Sequence, residues 1–125
     1  MPTAVLLSLA PDRSERLIQS EFGLNPSLWL VPVLGGTPRR VGDVNANDAT
    51  FLPDGKHLVY ARDAEIHQAN LDGAESRKLL SVRHFPLIAR ASPDGSVIRF
   101  SMGERGSITI WEVRPDGAGL HSILS

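Results

Sequence analysis

Three aspartates recur at matching places in this 125-residue sequence and are the first candidates for acid–base chemistry. Asp12, Asp54 and Asp94 each follow a proline, and gathered carboxylates can act as general acid and general base. All three stand inside the same Pro-Asp motif, however, where an aspartate typically accepts hydrogen bonds from nearby backbone amides of a turn. One structural role explains all three, so we interpret them as turn residues, together with Asp72 and Asp116.

The four histidines give little indication of a metal site. His57, His67, His84 and His121 lack a ligand spacing such as H-x-x-x-H, and the sequence contains no cysteine. We expect His57 and His67 to face outward on strands. The sequence has neither the G-x-S-x-G elbow of a serine hydrolase nor a phosphate-binding glycine loop. It therefore predicts no catalytic residue, no metal and no cofactor.

The charge balance argues against nucleic acid as a partner. Thirteen basic and 14 acidic residues give a formal net charge of −1, without a block of like charge, whereas nucleic-acid-binding proteins usually carry a basic stripe. We interpret Trp29 and Trp111 as packing residues rather than as a stacking platform. The apolar run 4–10 is too short to cross a bilayer and lacks the basic flank of a secretory signal. We expect no membrane association and a cytoplasmic location, or a periplasmic one for a processed chain.

The Pro-Asp turns belong to an internal repeat. Pro11, Pro53 and Pro93 are 42 and 40 residues apart, and a short run of strand-forming residues follows each of them. A second run in each copy ends at glycine, and a third short run closes the copy. Each copy therefore predicts four short strands, a to d, with tight a–b and c–d turns. A helix over residues 12–22 is the weaker alternative for the first copy.

This pattern resembles the WD40-like repeat of the TolB type, which forms β-propeller blades. The residues that carry the resemblance are Phe51–Lys56 with Asn70–Gly73, Ala91–Gly95 with Pro115–Gly117, and in part Trp29–Gly36. The first copy departs from the pattern at Arg13, where glycine is expected, and the second at Leu52, where the family usually has serine. The resemblance implies an all-β fold of three four-stranded antiparallel blades. We place the blades at about 1–44, 45–86 and 87–125.

Three blades are half of a six-bladed propeller. Closed propellers typically contain four to eight blades, and an open array leaves an apolar blade face exposed at each end. We therefore predict that two copies of this 13.6 kDa chain close one six-bladed ring as a homodimer. The alternative is that the sequence is a fragment of a longer propeller.

The segments between strands b and c differ most in length among the three copies. In an up-and-down blade these b–c loops lie on the same face as the d–a connections between blades. Functional residues tend to gather on the variable loops of a rigid scaffold, so we predict that this face binds a protein or peptide. The candidate binding residues are Asn47, Asp48, Arg62, Asp63, His84, Glu104 and Arg105.

The sequence leaves three functions open. The missing catalytic motifs favour a non-catalytic scaffold that binds a protein or peptide. The resemblance to propeller segments of bacterial signalling proteins implies a fragment or sensor domain of a larger protein. A propeller hydrolase or lyase is the third, with Asp48, Asp63 and Glu104 converging at the mouth of the channel. We favour the scaffold.

Overall fold

The computed structural model describes residues 4–20, 26–84, 86–104 and 106–124, and within these ranges the chain forms strands and turns. The first sheet contains β1 (Ala4–Leu9), β2 (Glu15–Ser20), β3 (Ser27–Pro32) and β4 (Arg39–Asn45). The second contains β5 (Asp48–Phe51), β6 (His57–Arg62), β7 (Glu65–Asn70) and β8 (Arg77–Ser81). The third contains β9 (Pro86–Ala91), β10 (Ile98–Glu104), β11 (Ser107–Val113) and β12 (His121–Leu124).

Each sheet pairs its four strands in chain order, and every pair is antiparallel. The predicted class, all-β with three four-stranded antiparallel blades, is confirmed. The helical alternative for the first copy is wrong, because residues 15–20 form β2. Its apolar residues Leu17 and Ile18 face opposite sides of a sheet rather than one side of a helix.

The first strand of each sheet lies at the inner edge of the array. Strand β5 contacts β1 on one side and β9 on the other, whereas the outer strands of neighbouring sheets diverge. The sheets are therefore arranged as blades that fan out from their first strands. Corresponding positions follow from the pairing between the second and third strands, which places Ile18 opposite Trp29, Tyr60 opposite His67 and Phe100 opposite Trp111.

Two apolar clusters hold the blades together. Leu17 and Leu30 of the first sheet pack with Leu58 and Tyr60 of the second, and all four are almost fully buried. The other cluster joins the second and third sheets, and Phe100 is its largest fully buried side chain. The middle sheet contributes side chains to both clusters, so both of its faces are covered.

The aspartates of the repeat make the turn contacts that the sequence predicts. Asp54 Oδ1 accepts a hydrogen bond from the backbone amide of Lys56 at 2.8 Å. The same bond, from the amide two residues further along the chain, recurs at 2.9–3.0 Å at Asp12, Asp72, Asp94 and Asp116. These carboxylates therefore cap turns, and their interpretation as structural residues is confirmed.

Arg13 adopts the backbone conformation of the glycines that it replaces. Its φ of 63° is close to the 68° of Gly55 and the 75° of Gly95. A side chain at this left-handed φ costs free energy, which the surrounding turn must offset. The turn therefore keeps its geometry although arginine stands in the place of glycine.

The lowered pKa of Asp94 predicts that the stability of the protein depends on pH. Hydrogen bonds from the Ser96 amide, the Ser96 hydroxyl and the Ser92 hydroxyl lower the pKa of Asp94 from 3.8 to about 2. A lowered pKa in the folded state stabilises the protein above pH 3.8, and this contribution is lost as the pH falls through about 2. Asp94→Asn should therefore lower Tm at pH 7, and the difference from the wild type should vanish towards pH 2. Thermal unfolding followed by circular dichroism across this range checks it; a difference independent of pH would contradict it.

Candidate binding face

Hydrogen bonds join the connections between successive blades to the turns within the blades. A d–a connection runs from the fourth strand of one blade to the first strand of the next, and a b–c turn joins the second and third strands of one blade. The Asn47 amide donates to the Ala61 carbonyl at 2.7 Å, and the Val82 amide donates to the Ala64 carbonyl at 2.8 Å. Both connections that flank the middle blade are thus bonded to its own b–c turn. We call this surface the loop face and define it by residues 46–48, 61–64 and 82–84.

The first blade adds a further brace to the loop face. The Gln19 side-chain amide donates to the carbonyls of Ala46 and Asn47 at 2.8 and 2.9 Å. The Ala46 amide donates to the Pro26 carbonyl at 3.0 Å, which joins the end of the first blade's b–c segment to the same connection. The backbone of this connection is therefore held by two sheets at once.

Four of the predicted site residues lie close together on the loop face. Asp48 pairs with Ala61 across β5 and β6, so Asn47 and Asp48 lie beside Arg62 and Asp63. The Asp48 carboxylate accepts a hydrogen bond from the Ala49 amide at 2.9 Å. Asp63 occupies the turn with a φ of 52°.

Of the other three predicted residues, the structure describes His84 and Glu104. His84 is exposed and follows Val82 in the second d–a connection. Glu104 ends β10, where its backbone pairs with Ser107. Arg105 lies outside the described residues. The binding role of all seven residues remains a prediction.

Two grooves run outward from the loop face along the junctions between blades. The groove between the first and second blades has a volume of about 570 Å³ and is lined by charged residues that include Asp43, Arg62 and Lys78. The groove between the second and third blades measures about 520 Å³ and has a more apolar lining. Its lining residues are Ser81, Val82, Arg83, Met102, Trp111 and Leu120.

His67 lies on the wall of the first groove, and the expectation that it faces outward is wrong. Its exposed fraction is 7%, because the ring stacks on Tyr60 with the ring centroids 5.1 Å apart. His67 Nε2 lies 3.1 Å from Glu65 Oε1, and this hydrogen bond, with the nearby Lys78, lowers the pKa of Glu65. The Tyr60 hydroxyl forms a hydrogen bond with the Ser76 hydroxyl. His57, by contrast, is half-exposed and contacts Asp54.

Sequence reasoning missed a second repeated device in the third strands. At one corresponding position in each blade, the ring nitrogen of an aromatic residue bonds to the side chain two residues earlier. The pairs are Trp29 with Ser27 at 3.2 Å, His67 with Glu65 at 3.1 Å and Trp111 with Thr109 at 2.9 Å. A search for aromatic residues preceded at this spacing by a polar residue would have found it. Trp111 also packs against the second core, as predicted.

No three side chains of the His, Cys, Asp and Glu types come together as a metal-binding group among the residues that the structure describes. Over the same residues, no helix has the length and hydropathy needed to span a bilayer.

No known family profile matches this sequence. An uncharacterised protein from Agrobacterium fabrum is 32% identical in an alignment of 122 residues, and the match covers 92% of this chain and 41% of that protein. The chain thus spans less than half the length of this curated relative.

Several solved propeller proteins superimpose on nearly the whole chain. TolB from Acinetobacter baumannii matches with a TM-score of 0.80 at 19% identity, over 97% of this chain and 32% of its own. A protein assigned as TolB from Agrobacterium tumefaciens matches with a TM-score of 0.76 at 28% identity, over 94% and 44%. An oligogalacturonate lyase in complex with manganese matches with a TM-score of 0.63 at 15% identity, over 93% and 40%.

These superpositions define the class of protein: the three sheets are blades of a β-propeller. The resemblance of the repeats to those of the TolB type is confirmed.

Proposed function

We propose that this chain is a non-catalytic β-propeller scaffold that binds a protein or peptide on its loop face. The observation that carries the proposal is the pair of backbone hydrogen bonds, Asn47 to Ala61 and Val82 to Ala64, that fixes both d–a connections to one turn. A preorganised surface loses little conformational entropy when a ligand binds. Polar candidates such as Asn47, Arg62 and His84 are therefore presented on a rigid support.

The groove between the second and third blades indicates what kind of peptide would fit. Met102 and Trp111 supply an apolar wall, and Leu120 is 43% exposed beside them. Arg83 is exposed at the rim. A groove of about 520 Å³ accommodates one or two large side chains. We therefore propose an extended peptide with an apolar anchor residue and an acidic residue next to it.

The likeness to TolB supports a role in protein binding only through the fold, because one fold carries many functions. Under this proposal a cytoplasmic location stays the default prediction, and a periplasmic location of a processed chain stays the alternative. The reading as a fragment or sensor domain of a larger propeller protein is compatible with the same ligand. The lyase likeness, at 15% identity, carries no prediction of catalysis here.

Charge reversal on the loop face tests the proposal. A peptide selected from a random display library on the immobilised chain serves as the probe, and its fluorescence anisotropy gives Kd. We expect selected peptides to share an apolar–acidic pair, and Arg83→Glu to weaken binding roughly tenfold, because an attractive charge pair becomes repulsive. Lys56→Glu is the matched control, since Lys56 is an exposed cation on the opposite face.

His84→Ala tests whether the peptide contacts the loop face in addition to the groove. If the peptide crosses the loop face, this variant should weaken binding by a few-fold while leaving Tm unchanged. Equal affinities of the wild type, Arg83→Glu and His84→Ala would contradict the proposed binding face, as would selected peptides without acidic residues.

A further inference from the structure

Within the chain, each junction between blades contains the same backbone contact. The c–d turn of the following blade places a glycine on the outer strand of the preceding blade. A Cβ atom on Gly73 would lie 2.9 Å from the Val41 carbonyl oxygen of β4. A Cβ atom on Gly117 would meet the Leu79 carbonyl oxygen of β8 still more closely. Only glycine permits this approach, and both glycines have the positive φ that the turn requires.

The two partners of this contact, a c–d turn glycine and an outer strand, each occur once more at the ends of the array. Neither of them makes the contact within the chain. Gly35 corresponds to Gly73 and Gly117, has a φ of 98° and has no described atom within 4 Å of an added Cβ. Leu34, at the tip of the same turn, is fully exposed. At the other end of the array, Ile123 of β12 corresponds to Val41 and is 44% exposed, whereas Val41 is fully buried under the following blade.

We propose that the first blade of one copy docks on the third blade of a second copy, with the Leu34–Gly35 turn on the outer strand at Ile123. The interface continues the pattern of the two junctions inside the chain, and the copies are related head to tail. Two copies present both faces to each other at once, so the ring closes with twofold symmetry and six blades. The inference does not depend on the peptide-binding proposal, which concerns a different surface.

The two end faces differ from the junctions inside the chain in the side chains at their core positions. The expectation of an apolar blade face at each end needs correction, because charged residues stand at core positions on both faces. Arg16 corresponds to Leu58, and Glu112 corresponds to Leu30, and in the first junction Leu58 and Leu30 share one cluster.

At the junction between copies, Arg16 therefore approaches Glu112 of the second copy. Glu112 is only 16% exposed and already contacts Arg99 at 2.5 Å and His121 at 3.3 Å. The Arg16 side chain is exposed, and within the described part of the chain it has no ion-pair or hydrogen-bond partner. The Glu112 carboxylate has two oxygens and can accept from both arginines.

Analytical ultracentrifugation of the 125-residue chain over a concentration series tests the proposal. We expect a dimer of twice the 13.6 kDa chain mass. Gly35→Ala should raise the dimer dissociation constant about tenfold or more, because its Cβ would strike the partner's outer strand. Gly106→Ala is the matched control: Gly106 also has a positive φ, 81°, and open space, but it lies between β10 and β11. It should leave the dissociation constant unchanged.

Arg16→Glu provides a second variant that leaves the backbone untouched. It should weaken the dimer severalfold, and less so at high salt, since screening reduces the charge effect. A monomer at every concentration would overturn the proposal, and so would association that grows beyond the dimer without closing. Equal dissociation constants for Gly35→Ala and Gly106→Ala would overturn the docking geometry and with it the proposal.

Discussion

Replacing Gly73 with alanine should destabilise the folded chain by about 2–5 kcal/mol. The left-handed φ of 83° alone costs about 1–2 kcal/mol for a residue with a Cβ. The new Cβ would also lie 2.9 Å from the Val41 carbonyl oxygen and 3.0 Å from Gly42 Cα. These are backbone atoms of β4, which cannot rotate away as a flexible side chain could. Overpacking therefore adds about 1–3 kcal/mol. Urea denaturation of both proteins gives the difference in the free energy of unfolding.

Gly35→Ala is the control, because it has the same kind of strain without the contact. Its φ is 98°, and no described atom lies within 4 Å of the added Cβ. In the monomer, at the lowest usable protein concentration, it should cost only the conformational term of about 1–2 kcal/mol. Equal losses for the two variants would show that the c–d glycines serve the turn alone and do not pack one blade on the next.

The sequence was sufficient for the blade pattern because that pattern depends on local chemistry. A Pro-Asp turn fixes its own backbone through the aspartate side chain, as Asp54 and Asp94 do, and this holds wherever the turn lies in the fold. The alternation of apolar residues in strands predicts sheets in the same local way. Even Arg13, which breaks the sequence motif, keeps the φ of the turn.

His67 shows where such local reasoning ends. An alternating strand predicts one buried and one exposed face, which placed His67 outward next to the buried Ile66. The middle blade is covered on both faces, so Ile66 and His67 are both buried. Whether a second face is covered depends on neighbouring sheets, and the spacing within one strand does not contain that information.

The candidate binding face also combines features that strand topology predicts with features that depend on how the blades pack. Antiparallel topology alone brings Asn47 and Asp48 to the turn at Arg62 and Asp63, and the sequence predicted this proximity. The two grooves depend on how far one blade is displaced from the next, which is set by contacts such as that of Gly73 with Val41. Side chains that line a groove, such as Trp111, were therefore recognised only as packing residues.

Phe100→Ala should cost about 3–5 kcal/mol, because Phe100 is fully buried in the cluster between the second and third blades. Urea denaturation measures the loss. Ile108→Ala on β11 is the control, since Ile108 is 69% exposed and its removal should change stability by less than about 0.5 kcal/mol. Phe100→Leu, with a smaller loss of volume, keeps the comparison measurable if the alanine variant does not fold.

The position of Phe100 also predicts where the structure loosens. The two clusters share only the middle blade, so a cavity at Phe100 weakens the attachment of the third blade directly and that of the first only indirectly. Hydrogen exchange of Phe100→Leu should therefore become faster in β9–β12, while exchange in β1–β4 stays close to that of the wild type. Uniform acceleration across all three sheets would mean that the blades unfold only as one unit. In that case the two clusters act as a single cooperative core, although they are separate in the folded structure.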